Sequence, residues 1–207
     1  MSSKNYFENV AQDWDEMRTG FFPIAVREKA IAQMEIQQGI QVADIGAGTG
    51  FLTEGLANFP INITAVDESQ KMLEVMAKKF KSHTNINYLV SESESIQVTD
   101  NSWHYALANM FLHHVERPAI VIKELYRTLK PGGKLIITDL DKHDFDFLVK
   151  EQNDRWMGFE RTAITNWFTQ AGFKEVKVDC VNANCCADSC GTNAKAEVNI
   201  FIATGTK

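Results

Sequence analysis

Strand-like and helix-like segments alternate along this 207-residue chain, and that alternation predicts an α/β fold: a mostly parallel sheet with helices on both faces. Two local patterns sharpen the expectation. An apolar run, Val42 to Ile45, meets three glycines at alternate positions, Gly46, Gly48 and Gly50, which is how a strand turns into a helix beside a ligand. The chain also closes on two period-2 segments joined only by a loop, so its last strand should run antiparallel.

The elements follow in order. Phe51, Leu52, Leu56 and Phe59 have helical spacing straight after the glycines. Ile61 to Asp67 reads as a second strand ending in an acid, and Ser69 caps a helix whose Met72, Leu73, Met76 and Phe80 share one face. Ile86 to Val90 is a third strand and Tyr105 to Met110 a fourth. Pro118 opens a helix with Ile122, Leu125 and Leu129 inward, because a first-turn residue needs no N–H partner. Lys130-Pro131-Gly132-Gly133 stops it ahead of a fifth strand, Leu135 to Thr138. Ile164, Trp167, Phe168 and Ala171 mark a further helix, closed by Gly172. Val176, Val178 and Cys180 alternate, as do Ala196, Val198, Ile200 and Ile202; Asn182 to Ala194 between them reads as a loop. No internal repeat, linker or low-complexity tract interrupts the pattern, so a single domain is expected: an N-terminal helical lid over 1–36 and a core over 37–207.

Composition excludes several classes. Net charge is −6 and the 21 basic residues form no long run, which disfavours a nucleic-acid partner. No apolar run approaches the roughly 20 residues of a membrane span. The first residues, Met1 to Asn5, lack the apolar core of a secretory leader, so a cytoplasmic location with four reduced cysteines is expected.

The glycine spacing is G-x-G-x-G, not the G-x-G-x-x-G of a pyrophosphate loop, and Asp44 stands just ahead of it. A carboxylate there is a poor neighbour for two phosphates and suits a cofactor carrying an ammonium and a sulfonium. The stretch DIGAGTG resembles the first motif of the class I S-adenosylmethionine-dependent methyltransferases. Phe7 to Met17 resembles the "F-x-x-x-A-x-x-W/Y-D" helix of the small-molecule members, and NMFLHHV (109–115) and LKPGGKL (129–135) resemble two further motifs. The resemblance runs from about Tyr6 to the C-terminus. It implies a Rossmann-like, seven-stranded sheet with the last strand antiparallel, and methyl transfer from S-adenosyl-L-methionine to a small-molecule acceptor.

Ligands of open α/β sheets bind beyond the carboxyl ends of the strands, where strand order reverses. The cofactor-binding set is therefore Asp44, Gly46, Ala47, Gly48, Thr49 and Gly50, then Asp67, Glu68 and Met72 after strand 2. Glu92 and Ser93 follow strand 3, Asn109 and Met110 follow strand 4, and Trp14 and Arg18 come from the lid. Asp67 is placed to accept from a ribose diol. Glu92-Ser93 stands where the family commonly has aspartate-alanine, and His104 where it usually has aspartate.

Displacement at a sulfonium has a leaving group that departs neutral, so positioning and desolvation can supply most of the acceleration. His113, His114 and His143 all fall at the binding edge and are the candidate catalytic or orienting residues. Asp139-x-Asp141-x-His143 with Trp156 to Phe159 resembles the "D-x-x-x-H…L-G-F" pattern of a bacterial methyltransferase subgroup. Cys185, Cys186 and Cys190 could hold a soft metal or metalloid ion on the last loop, although their spacing matches no common zinc pattern. A nicotinamide dehydrogenase is the rival enzyme reading, disfavoured by the glycine spacing. A non-catalytic cofactor sensor or thiol-rich metal-binding protein is the rival outside enzymes.

Overall fold

The computed structural model describes residues 3–189, 191 and 194–207. Three short helices, α1 (Ser3–Val10), α2 (Trp14–Thr19) and α3 (Ile24–Ile31), precede the sheet. Then come β1 (Gln41–Ile45), α4 (Phe51–Leu56), β2 (Asn62–Asp67), α5 (Gln70–Lys79), β3 (Ile86–Val90) and β4 (Trp103–Asn109). A 3₁₀ turn at Leu112–His114 leads to α6 (Pro118–Thr128), β5 (Leu129–Leu140), α7 (Asp146–Glu151), α8 (Arg161–Ala171), β6 (Lys174–Asp188) and β7 (Lys195–Thr206).

The seven strands lie in the order β3-β2-β1-β4-β5-β7-β6. Pairing is parallel from β3 through β5, and β7 is antiparallel to both its neighbours. The order reverses between β1 and β4, so the crevice beyond their carboxyl ends is where this topology seats a ligand.

Strand alternation divides the core between the two faces of the sheet. One face buries Val42, Ile136, Ile200 and Ile202 under Leu52, Leu56 and Met76 of α4 and α5. The other buries Ile45, Ile137 and Phe201 under Ile122 and Leu125 of α6 and Ile164 and Phe168 of α8. Ser69 caps α5 as expected, accepting from the Met72 N–H at 3.3 Å. His104 proves structural: its Nδ1 accepts from the Gln41 N–H at 2.9 Å, joining β4 to the start of β1.

The expected loop after Cys180 is corrected. β6 continues to Asp188, across an irregularity between Cys180 and Asn184, and pairs Asn184 with Asn199 and Cys185 with Val198. This ribbon buries Val181, Cys185 and Ala187 beside Phe22 and Leu148. The Cys186 N–H donates to the Phe21 carbonyl at 2.7 Å, tying the ribbon to the segment between α2 and α3.

Candidate active site

The first turn after β1 builds a cradle. The Gly46 and Ala47 N–H groups both donate to the Val66 carbonyl, at 2.8 and 3.1 Å, so the loop folds over the end of β2. Gly46 has φ +65°, and a β-carbon there would lie 2.2 Å from the Phe111 ring. Alanine would drive Phe111 into the space the loop encloses. The Gly48 N–H donates to Asp67 Oδ2 at 2.8 Å while the Ser69 N–H donates to Oδ1 at 2.8 Å. Burial pushes the Asp67 carboxyl up to about 6 against these two hydrogen bonds.

A cavity of about 360 Å³ opens over this cradle. Gly46, Ala47, Gly48 and Thr49 line it, with Asp67, Glu68 and Met72 after β2, Glu92 and Ser93 after β3, and Asn109 and Met110 after β4. Burial raises the Glu68 carboxyl above its ordinary range. Thr138 Oγ1 donates to Asn109 Oδ1 at 2.8 Å and fixes that amide. Met110 holds φ +50°, a left-handed conformation rare outside glycine, which turns the chain back across the mouth of the sheet.

Much of the remaining lining is aromatic. Phe7, Trp14, Phe22, Phe51, Phe111 and His114 all contribute to it. Phe7 meets Trp14 edge-on at 5.3 Å and His114 edge-on at 4.9 Å. Arg18 lies over the Phe51 ring, 4.7 Å from its centre. Asp15 locks this cover to the loop: it accepts from Thr49 Oγ1 at 2.7 Å and from Lys79 Nζ at 3.2 Å, and those partners hold its carboxyl below the usual range although burial opposes them. Sequence reasoning passed over Asp15, although it is the acid of the "W/Y-D" pattern.

Two expected cofactor residues stand apart. Asp44 faces away from the cavity: its Oδ2 accepts from the Thr53 N–H and Oγ1, at 3.1 and 2.7 Å, which satisfies an otherwise orphaned donor in the first turn of α4. Burial pushes its carboxyl up to about 6. Gly50 turns into the helix against Phe80 and Met76, not toward the cavity. Both residues shape the loop from behind.

The three histidines separate. His114 lines the cavity, and burial together with the neighbouring His113 charge holds it well below its ordinary pKa, so it is neutral near pH 7. His113 is turned behind it. Its Nδ1 lies 2.6 Å from Asp139 Oδ1 and its Nε2 3.7 Å from Asp154 Oδ1. Burial alone would lower it, but the two carboxylates outweigh burial and push it up to about 9. Asp139 also accepts the N–H groups of Phe111, Leu112 and Leu140, at 3.1, 2.8 and 2.8 Å, so it pins the whole turn. His143 is corrected: it does not reach the cavity, and its Nδ1 accepts from the Phe145 N–H at 3.2 Å.

The expected thiol cluster is also corrected. Cys185 and Cys186 are consecutive on β6 and so point to opposite faces, the first buried and the second exposed. Burial pushes the Cys185 thiol up to about 12, the reverse of what a ready thiolate needs. Cys190 lies outside the described residues. Among the described residues, Cys185 and Cys186 do not converge on one ion.

These features define a Rossmann-like domain with a cofactor crevice at its switch point. Residues 43–137 match the family model "Methyltransferase domain". A malonyl-[acyl-carrier protein] O-methyltransferase from Marinomonas is 30% identical over 158 residues, covering 74% of this chain and 56% of that protein. A ubiquinone biosynthesis O-methyltransferase from Coxiella burnetii is 27% identical over 186 residues, covering 81% of this chain and 80% of that one. The chain thus spans little more than half of the first relative and four fifths of the second. The crystal structure of the [4+2]-cyclase SpnF superposes with a TM-score of 0.79 at 16% identity, covering all of this chain and 97% of that one, which is a likeness of fold alone. The domain match, these relatives and the fold together support a class I S-adenosylmethionine-dependent methyltransferase.

The residues present fit that family's cofactor. The Gly46–Thr49 loop lines the cavity, and the absence of a β-carbon at Gly46 lets Phe111 pack against its backbone. The Asp67 and Glu68 carboxylates are acceptors for hydroxyl and ammonium donors, and the aromatic rings suit a cation.

Proposed function

We propose that this protein transfers a methyl group from S-adenosyl-L-methionine to a small, planar, largely apolar acceptor. The observation that carries the reading is one cavity lined both by glycine-loop backbone with carboxylates and by a set of aromatic rings. The glycine-loop backbone and the carboxylates suit a polar, positively charged cofactor, and the rings of Phe7, Trp14, Phe22 and His114 suit a flat apolar partner. Fold alone would not decide the chemistry, since a [4+2]-cyclase shares it. The sequence relatives named for O-methyl transfer support methyl transfer here.

When bound, the cofactor supplies an activated methyl on a sulfonium whose leaving group departs neutral. The protein's part is position and desolvation. Gly46, Ala47, Gly48 and Thr49 cradle the cofactor, Asp67 and Glu68 accept its hydroxyl and ammonium hydrogens, and Glu92 and Ser93 face its base. Met72, Asn109 and Met110 complete that lining. Trp14 and Arg18, latched through Asp15, form a cover within the 1–36 lid over the 37–207 core and exclude water. His114 hydrogen-bonds the acceptor and orients it; His113, fixed by Asp139, supports His114 from behind and does not touch ligand.

The acidic balance supports a small-molecule acceptor over a nucleic acid. Among the described residues no helix is long and apolar enough to cross a membrane, which accords with a cytoplasmic setting. The test is release of S-adenosylhomocysteine across a panel of phenols, quinols, amines and short acids. Turnover confined to the planar acceptors is expected. Tight cofactor binding with no turnover on any planar acceptor would overturn the reading.

A further inference from the structure

Behind His114 lies a second, smaller cavity of about 50 Å³, bordered by His113, His114, Asp154 and Cys185. Three elements distant in sequence meet there: the turn after β4, the segment after α7, and β6. His113 Nε2 and His114 Nδ1 each lie 3.7 Å from Asp154 Oδ1, and one ligand atom from each of the three residues falls within 4.8 Å of the others. A tetrahedral zinc ion with bonds of about 2.0–2.1 Å sets its ligand atoms about 3.3–3.4 Å apart, so each histidine nitrogen needs to approach Asp154 by only a few tenths of an ångström, and the set of three closes from within 4.8 Å.

Two independent features mark this as a built site. The other nitrogen of His113 is held by Asp139 at 2.6 Å, and Asp139 is itself fixed by three backbone N–H groups. A carboxylate on the far nitrogen is the usual way a metal-binding imidazole is oriented. His114 Nδ1 is also buried and has no hydrogen-bond partner. A buried nitrogen without a partner is unfavourable unless something else occupies its lone pair.

From this geometry we propose that His113, His114 and Asp154 bind a divalent first-row transition ion, zinc by preference, in a tetrahedral site whose fourth position is left to a water molecule. Nitrogen and carboxylate donors in a closed tetrahedral space suit zinc better than the hard, oxygen-rich shells of magnesium or calcium. The ion lies behind His114, which lines the main cavity, and would fix its ring. Cys185 borders this cavity but is not one of the three ligands, so the site is distinct from the thiol cluster expected from sequence.

The test uses the whole chain, stripped with chelator and then titrated with Zn²⁺ against a chromophoric competitor, and separately with Co²⁺. One zinc per chain and the intense visible bands of tetrahedral Co²⁺ are expected. Asp154→Asn, which keeps side-chain shape, should weaken zinc by about 100-fold or more, and Asp139→Asn by about 10- to 100-fold, as changes outside the coordination shell do. S-adenosylhomocysteine titration of the same variants verifies that each is folded, and failure of the methyltransferase reading would appear in that arm alone. Zinc affinity equal in wild type and folded Asp154→Asn, or an octahedral Co²⁺ spectrum, would overturn the proposal.

Discussion

Replacing Asp67 by Asn separates the cofactor's contact from the fold's own use of the same carboxylate. Each Asp67 oxygen already accepts one backbone N–H, from Gly48 and from Ser69, both at 2.8 Å, and each keeps a second lone pair. An amide retains one of those backbone bonds and turns an N–H toward the other donor. Losing the charge-assisted acceptor for a ribose diol should cost about 1.5–3 kcal/mol, which is about 10- to 150-fold in affinity. Stability should change less. The buried carboxyl is pushed up to about 6 from an ordinary 3.8; neutralising it recovers on the order of 3 kcal/mol at neutral pH, which offsets the lost loop bond. The sign with pH follows. Hydroxyl donors favour the ionised carboxylate, so wild-type affinity should rise as pH rises through about 6, while Asp67→Asn stays flat. Calorimetric titration with S-adenosylhomocysteine between about pH 5 and 8, beside thermal melts, reads both effects. A folded variant with the wild-type dissociation constant would refute the assignment and leave Asp67 as a loop brace.

His114→Ala should lower kcat about 10- to 100-fold while leaving S-adenosylhomocysteine affinity unchanged, because it removes an orienting group and not a cofactor contact; loss of cofactor binding in calorimetry would contradict this. Asp44, buried and pushed up to about 6 from 3.8, is protonated in the folded chain where the unfolded chain is already ionised. Its contribution to stability therefore falls as pH rises from about 4 to 6 and stays low above that, and denaturant titrations should show Asp44→Asn flattening that slope, with a gain on the order of 3 kcal/mol at pH 7. Gly158→Ala would place a β-carbon 2.1 Å from the Asp141 carbonyl oxygen at φ +62°; urea unfolding should register a loss of about 2–4 kcal/mol.

The cradle, six of the strands and the first half of β6 were legible because they carry strong local signals: glycines at alternate positions, apolar or alternating runs of strand length, and proline or glycine at helix ends. The second half of β6 was not, because Asn182 to Asp188 presents only small or polar residues. What makes it a strand is long-range pairing with Lys195–Asn199 and burial of the small side chains of Cys185 and Ala187. The same limit governs the histidines. His113 and His114 are neighbours in sequence, yet the 3₁₀ turn sends one to the main cavity and the other to Asp139, 26 residues away along the chain. Asp154 carried no local mark at all, since its meaning depends on the return of the segment after α7. Asp44 misled for a related reason: a carboxylate beside a glycine loop can serve the helix behind it as well as a ligand in front.

The extended β6–β7 ribbon gives the molecule two separately adjustable halves. Its far end touches the Phe21 and Phe22 segment, and none of it enters the glycine cradle. Lengthening, shortening or re-registering that ribbon would reshape the chamber for the acceptor while the cofactor's seat, built from β1, β2 and β3, stayed fixed. A descendant could thus exchange one acceptor for another through changes in residues 180–200, without relearning how to hold its methyl donor.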